Sequence, residues 1–125
     1  RVSMLLAVIE KHLGVSISSQ DVFLNIVGGV KVSDTAMDMG IILSILSSYK
    51  DKIIEGRVVV LGEVGLTGEI RAVSSIDSRI SEAVRLGFNK IIVPKSSKIK
   101  NVEKYKKAEI LRLQKVSEIK ELNLF

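Results

Sequence analysis

Two short apolar runs constrain this chain more than anything else in it. RVVVLGEV at 57–64 and NKIIVP at 89–94 are almost unbroken in β-branched and apolar residues, as expected of strands covered on both faces. Between them, Ile76, Ile80, Ala83, Val84 and Leu86 fall at helical spacing, and Gly87 follows. Strands that need cover on both sides, with helices beside them to supply it, call for a layered domain.

The rest of the chain follows the same alternation. Val2, Leu5, Leu6, Val8, Ile9 and Leu13 form a helix stripe over 2–13, closed by Gly14. DVFLNIVG at 21–28 alternates in the manner of a strand and ends at Gly28 and Gly29. Residues 34–49 read as a largely buried helix with Ser33 or Asp34 as its N-cap. GLTGEIRAV turns through Gly65 and Gly68 into a short strand, Glu69–Val73, and Ser74 or Ser75 opens the helix at about 76–87. AEILRL at 108–113 reads as a last strand and VSEIKELNLF as a terminal helix. The fold class is α/β (α+β), in one domain covering 1–125.

The chain has 125 residues, 46% hydrophobic and 26% charged, which is ample for a buried core and wrong for a disordered segment. No apolar run reaches about 18 residues, so no transmembrane helix is expected, and MGIILSIL reads as a buried helix. Without cysteine there is no disulfide framework, thiol nucleophile or thiolate metal site, which fits a reducing cytoplasm. A lone histidine, His12, argues against a His-ligated metal site and reads as a solvated or dipole-complementing residue in the last turn of its helix. The net charge of +5 permits attraction to phosphate polymers. The chain lacks an initiator Met and its apolar pattern already runs at residue 2, so we expect a domain of a longer protein.

The stretch KVSDTAMDMGI at 31–41 is a polar turn running into an apolar helix, a form that suits either a nucleophile or a plain cap. The glycines of GEVGLTGEI are spaced as GxxGxxG, which is neither a P-loop nor a dinucleotide fingerprint, and read as turn formers. Glu63 and Glu69 flank that turn without the pattern of a catalytic pair.

Taken together, LGEVGLTGEIRAV, the following helix and LGFNKIIVP resemble the C-terminal domain of the RadA (Sms) family of bacterial DNA-repair proteins, as do DVFLNIVGGVKVSDTAMDMGIILSILSSYKD and MLLAVIEKHLG. That domain is related to the proteolytic domain of Lon, so the resemblance implies a fold like ribosomal protein S5 domain 2. Lon peptidases pair a serine at a helix start with a lysine at the next helix, a lysine in an apolar site being able to take the serine proton. The resemblance places Ala36 at the serine position, Asp77 at the lysine position and Arg79 near the following basic residue. Neither Ala36 nor Asp77 can do the required chemistry, so no catalytic residue is expected here.

What the resemblance further implies is a parent with a zinc module and a RecA-like ATPase, assembled as hexameric rings on single-stranded or branched DNA. ATP, Mg and Zn would belong to that part, with no cofactor in this domain. This domain would then serve as a scaffold, with self-association and DNA as its partners. Lys31, Arg71 and Arg79, at turns beside the vacated dyad, are the candidate DNA contacts, and Lys95, Lys98, Lys100, Lys104, Lys106 and Lys107 form a looser basic run. The competing readings are an active Ser-Lys peptidase and an S5-like RNA-binding domain.

Overall fold

A computed structural model describes residues 1–17, 20–25 and 34–125. Helix α1, Val2–Leu13, ends at Gly14 in the left-handed conformation (φ 65°), which glycine adopts without strain. A 3-10 turn, Thr35–Met37, leads into helix α2, Asp38–Lys50. Strands β1 (Val58–Val60), β2 (Glu63–Val64) and β3 (Ile70–Arg71) precede helix α3 (Ile76–Arg85). Strand β4 (Lys90–Pro94), a 3-10 turn (Val102–Tyr105), strand β5 (Glu109–Leu113) and a 3-10 segment (Val116–Leu122) complete the described chain.

The fold is mixed α/β around a parallel three-stranded sheet in the order β1-β4-β5. Side chains alternate across it, as strand geometry demands. On β4, Ile91 and Val93 join Ile76, Ile80 and Ala83 of α3 and Tyr105 in one cluster. Ile92 turns the other way, into a larger cluster with Leu5, Val8 and Ile9 of α1 and Met39 and Ile42 of α2. The sheet therefore has α1 and α2 on one face and α3 with the 95–107 crossover on the other. Both apolar runs needed cover on two faces, and this is how they receive it. Ile80, with no exposed surface, contributes about 1.5–3 kcal/mol by its burial.

The run RVVVLGEV differs from expectation. The ladder continues one bond past β1, Leu61 N–H donating to Ile92 C=O at 2.9 Å, and then stops. At Gly62 the backbone turns to the start of α2: Gly62 N–H donates to Ala36 C=O (3.0 Å), and Met39 N–H to Gly62 C=O (3.1 Å). A Cβ at Gly62 would stand 2.9 Å from Ile70 Cγ2 and 2.9 Å from Met39 Cγ, so close approach of the three elements is what this glycine allows. Strands β2 and β3 then form an antiparallel hairpin of their own, and Glu69 bridges to Lys115.

Three other elements differ. Residues 21–25 of the expected strand 21–28 lie in no strand, and residues 26–28 fall outside the described residues. The terminal helix is 3-10, its start held by Glu118, whose carboxylate accepts Gln114 N–H and Lys115 N–H. His12 is not simply solvated: its ring lies against Gly68, and its Nε2 is buried with no hydrogen-bond partner among the described residues. Among the described residues no helix is long and apolar enough to cross a membrane.

Candidate functional site

The start of α2 is built by Asp34. Its backbone is extended (φ −75°), and its Oδ1 accepts Ala36 N–H at 3.0 Å, satisfying a donor that the helix start leaves free. Ala36 is buried, pinned through its carbonyl to Gly62. A methyl group stands here, with no nucleophilic atom. The alternative cap Ser33 and the candidate contact Lys31 lie outside the described residues.

Around that start the structure gathers an ion network that the sequence pattern does not announce. Thr35 Oγ1 donates to Glu63 Oε2 at 3.1 Å. Glu63 lies 3.8 Å from Arg1 and 3.9 Å from Arg71. Below it, Asp38 is only 1% exposed. Arg1 Nε donates to its Oδ1 at 2.8 Å, Arg1 Nη2 to its Oδ2, and Val64 N–H to Oδ2 at 2.9 Å. These bonds satisfy the buried carboxylate, and the Asp38 bond is the main reason the Arg1 pKa is raised. The signal available in the sequence was an acid inside the apolar run AMDMGIIL, which only a buried partner can accommodate.

The hairpin turn is locked by Glu69. Its carboxylate accepts Thr67 N–H at 3.2 Å, Thr67 Oγ1–H at 2.7 Å and an Arg71 Nη2 bond at 2.8 Å. These bonds, Thr67 first and Arg71 next, lower its pKa to about 2. The carboxylate sits over Gly65, where a Cβ would come within 2.2 Å of Glu69 Oε1, so the lock requires glycine at that place. Arg71 is thus spanned by Glu63 and Glu69 while its side chain stays 55% exposed.

Arg79, on the second turn of α3, reaches back to α2. Its Nε donates to Ser74 C=O at 2.8 Å and its Nη1 lies 3.5 Å from Asp34 Oδ2. The structure therefore brings Arg79 to Asp34, and Arg71 to the Glu63 that takes the Thr35 hydroxyl, both at the start of α2. Asp77 faces elsewhere. Its carboxylate accepts Lys100 N–H at 3.2 and 3.3 Å, and Tyr105 Oη–H donates to the Asp77 carbonyl at 3.2 Å and lies 3.5 Å from Oδ1. Burial first, then the Asp77 charge, raises the Tyr105 pKa. Ser75 stands in the left-handed region (φ 56°) before α3 without a side-chain cap bond, so its expected capping role is not the observed one. No group of three or more metal-ligating side chains occurs among the described residues.

Comparison with known proteins bears on this arrangement. The profile of the family described as "Subunit ChlI of Mg-chelatase" matches residues 3–97. A curated relative from Halalkalibacterium halodurans, named DNA repair protein RadA, is 47% identical over 94 residues, 75% of this chain and 21% of that protein. The protein of that name from Salmonella typhimurium is 51% identical over 94 residues, 75% of this chain and 20% of its own length. The one from Bacillus subtilis is 42% identical over 118 residues, 94% of this chain and 26% of its own length. The chain spans about a fifth to a quarter of the curated relatives it matches.

Proposed function

Because this chain belongs to the family described as subunit ChlI of Mg-chelatase and is homologous to DNA repair proteins named RadA, we propose that it is the non-catalytic Lon-like domain of a RadA-type DNA repair ATPase. In this reading the fold is that of Lon proteolytic domains and ribosomal protein S5 domain 2. The domain helps close a hexameric ring and offers a basic surface to single-stranded or branched DNA. ATP hydrolysis, Mg and Zn belong to parts of the parent outside this chain, and the working compartment is the cytoplasm.

The observation that carries the reading is the helix start itself. It is a 3-10 turn capped by Asp34 and pinned to Gly62, with a buried methyl at Ala36, the position this reading equates with the Lon serine. Asp77, which this reading puts at the Lon lysine position, has its carboxylate engaged by Lys100 N–H and its carbonyl by the Tyr105 hydroxyl. Among the described residues, Arg71 and Arg79 keep part of their guanidinium donors free, since each has five and their carboxylate and carbonyl partners use only some of them. Such arginines can add a phosphate bond without breaking their own.

Charge reversal of Lys31, Arg71 and Arg79 in the full-length protein tests the DNA surface. The expected result is weaker binding to branched DNA and a shallower salt dependence. Unchanged affinity and slope would remove these residues as the DNA site. A serine-reactive probe should leave the domain unlabelled, and labelling would overturn the non-catalytic reading.

A further inference from the structure

Three elements end at one corner of the domain, each in a left-handed residue. Helix α1 stops at Gly14 (φ 65°), α2 at Asp51 (φ 52°) and the 3-10 segment Val116–Leu122 at Asn123 (φ 52°). Each stop turns the chain away from its axis, and a recess of about 360 Å³ remains between the three ends. It is lined by Leu13, Val15, Leu46, Ile119, Leu124 and Phe125. Leu13, Leu46, Ile119 and Leu124 belong to the core and close its floor. Val15 and Phe125 are half-buried and give it an apolar wall.

Lys50, Lys52 and Lys120 stand around this floor, on the last turn of α2, just beyond it, and on the 3-10 segment. All three are exposed, and none forms an ion pair among the described residues. Asp51, Glu55 and Glu121 are close in sequence, yet among the described residues no acidic side chain lines the recess. Lys50 has local work: its ammonium lies 5.2 Å from the centroid of the Phe125 ring, and it offsets the negative end of the α2 dipole. The backbone that carries these lysines is held in place. Lys52 N–H donates to Ser47 C=O at 3.0 Å, and Ser47 Oγ–H donates to the Lys52 carbonyl. Glu55 N–H donates to Leu124 C=O at 3.4 Å, tying this loop to the C-terminal segment.

We propose that this recess docks an acidic peptide segment of a partner protein, with one large apolar side chain on the floor and carboxylates against Lys50, Lys52 and Lys120. Charge complementarity selects the occupant. An apolar floor alone would accept any hydrophobe, but lysines on separate elements around it call for several separated carboxylates. A fatty acid brings only one. The volume lies at the lower end of ligand pockets, about 300–1,000 Å³, which suits an anchoring side chain. Burial of that anchor holds the complex, while the exposed lysines set its selectivity and its salt dependence. This docking uses none of Lys31, Arg71 or Arg79, so it stands or falls apart from the DNA surface proposed above.

The experiment uses the full-length protein and a fluorescein-labelled peptide in which a Leu-Phe pair is flanked by two aspartates on each side, read by fluorescence anisotropy. On the unaltered protein, replacing Leu-Phe by Ser-Ser is expected to weaken binding at least about tenfold, as loss of a buried anchor should. Replacing the aspartates by asparagines is expected to weaken it about tenfold and to flatten its salt dependence. A variant carrying Lys52→Glu and Lys120→Glu, both at exposed positions, is expected to bind the acidic peptide at least about tenfold more weakly. It should also bind a peptide with lysines in place of the aspartates more tightly than the unaltered protein does.

The reversal of preference supports the proposal, since a variant with a collapsed recess would bind neither peptide. The peptide series is read on the unaltered protein, so a variant that fails to fold leaves the test intact. Undiminished binding of the Ser-Ser peptide overturns the proposal, because the contact would then be charge alone. Laurate bound as tightly as the peptide makes the recess a fatty-acid site and also overturns it. If the double variant keeps the acidic peptide but changes oligomeric state by light scattering, the recess is an interface between copies and the proposal falls. Loss of duplex DNA binding with the acidic peptide retained overturns it as well. Loss of the peptide supports it even if charge reversal of Lys31, Arg71 and Arg79 leaves DNA affinity unchanged.

Discussion

Replacing Arg1 with alanine probes the most deeply placed charge in the described structure. Asp38 is 1% exposed, and its two oxygens receive Arg1 and Val64 N–H. Without Arg1, a carboxylate remains in the core with one backbone donor, and breaking a buried pair this way costs about 3–5 kcal/mol. Asp38→Ala acts differently. Arg1, with its side chain 30% exposed, can turn to water, but Val64 N–H loses its acceptor. Stranding that donor in a buried residue costs about 1–3 kcal/mol. The first substitution should therefore be the more damaging. Arg1→Met combined with Asp38→Leu should recover most of the loss, because apolar replacement of a buried pair is often neutral or better. A domain of this size has about 5–15 kcal/mol in all, so each single change is a large share of its stability. Urea unfolding followed by far-UV circular dichroism reads the effect. A loss of about 4 kcal/mol with a slope near 2 kcal/mol/M lowers the midpoint by about 2 M. The reasoning is refuted if Arg1→Ala costs under about 1 kcal/mol, or if the double variant is no better than the sum of the singles.

Four further outcomes follow. The Glu69 carboxyl should titrate near 2 rather than 4.5 in a 13C NMR pH series; because its folded pKa is lowered, its stabilisation is complete above about 4.5 and lost as pH falls toward 2. Gly62→Ala should cost about 1–3 kcal/mol by thermal unfolding, since its methyl would press on Ile70 and Met39. Tyr105→Phe should cost about 0.5–1.5 kcal/mol and speed proteolysis within 95–107, as it removes the hydroxyl that ties that crossover to Asp77. If the proposed reading holds, with Asp77 at the Lon lysine position, Ala36→Ser should produce no peptidase activity in a casein assay, because Asp77 supplies no amine to take the serine proton.

Much of the architecture was legible in residue order because it depends on local periodicity. The helix at 2–13, the strand at 89–94 and the α3 stripe through Ile76, Ile80 and Ala83 are set by spacing that buries one face, or both, whatever the partner. The absence of a nucleophilic atom at Ala36 and the basic excess of 95–107 are facts of covalent chemistry, fixed before any folding. What depended on long-range packing was not legible. The break of RVVVLGEV at Gly62 follows from the approach of Met39 and Ile70, the latter eight residues away along the chain and both facing one glycine. The Arg1–Asp38 pair joins residues 37 apart, and the anchoring of Lys100 by Asp77 joins residues 23 apart. Periodicity reports which face of an element is buried. Which charge meets which, and which glycine stands under which side chain, depends on how the layers stack, because those contacts exist only once α1, α2, α3 and the sheet are in place.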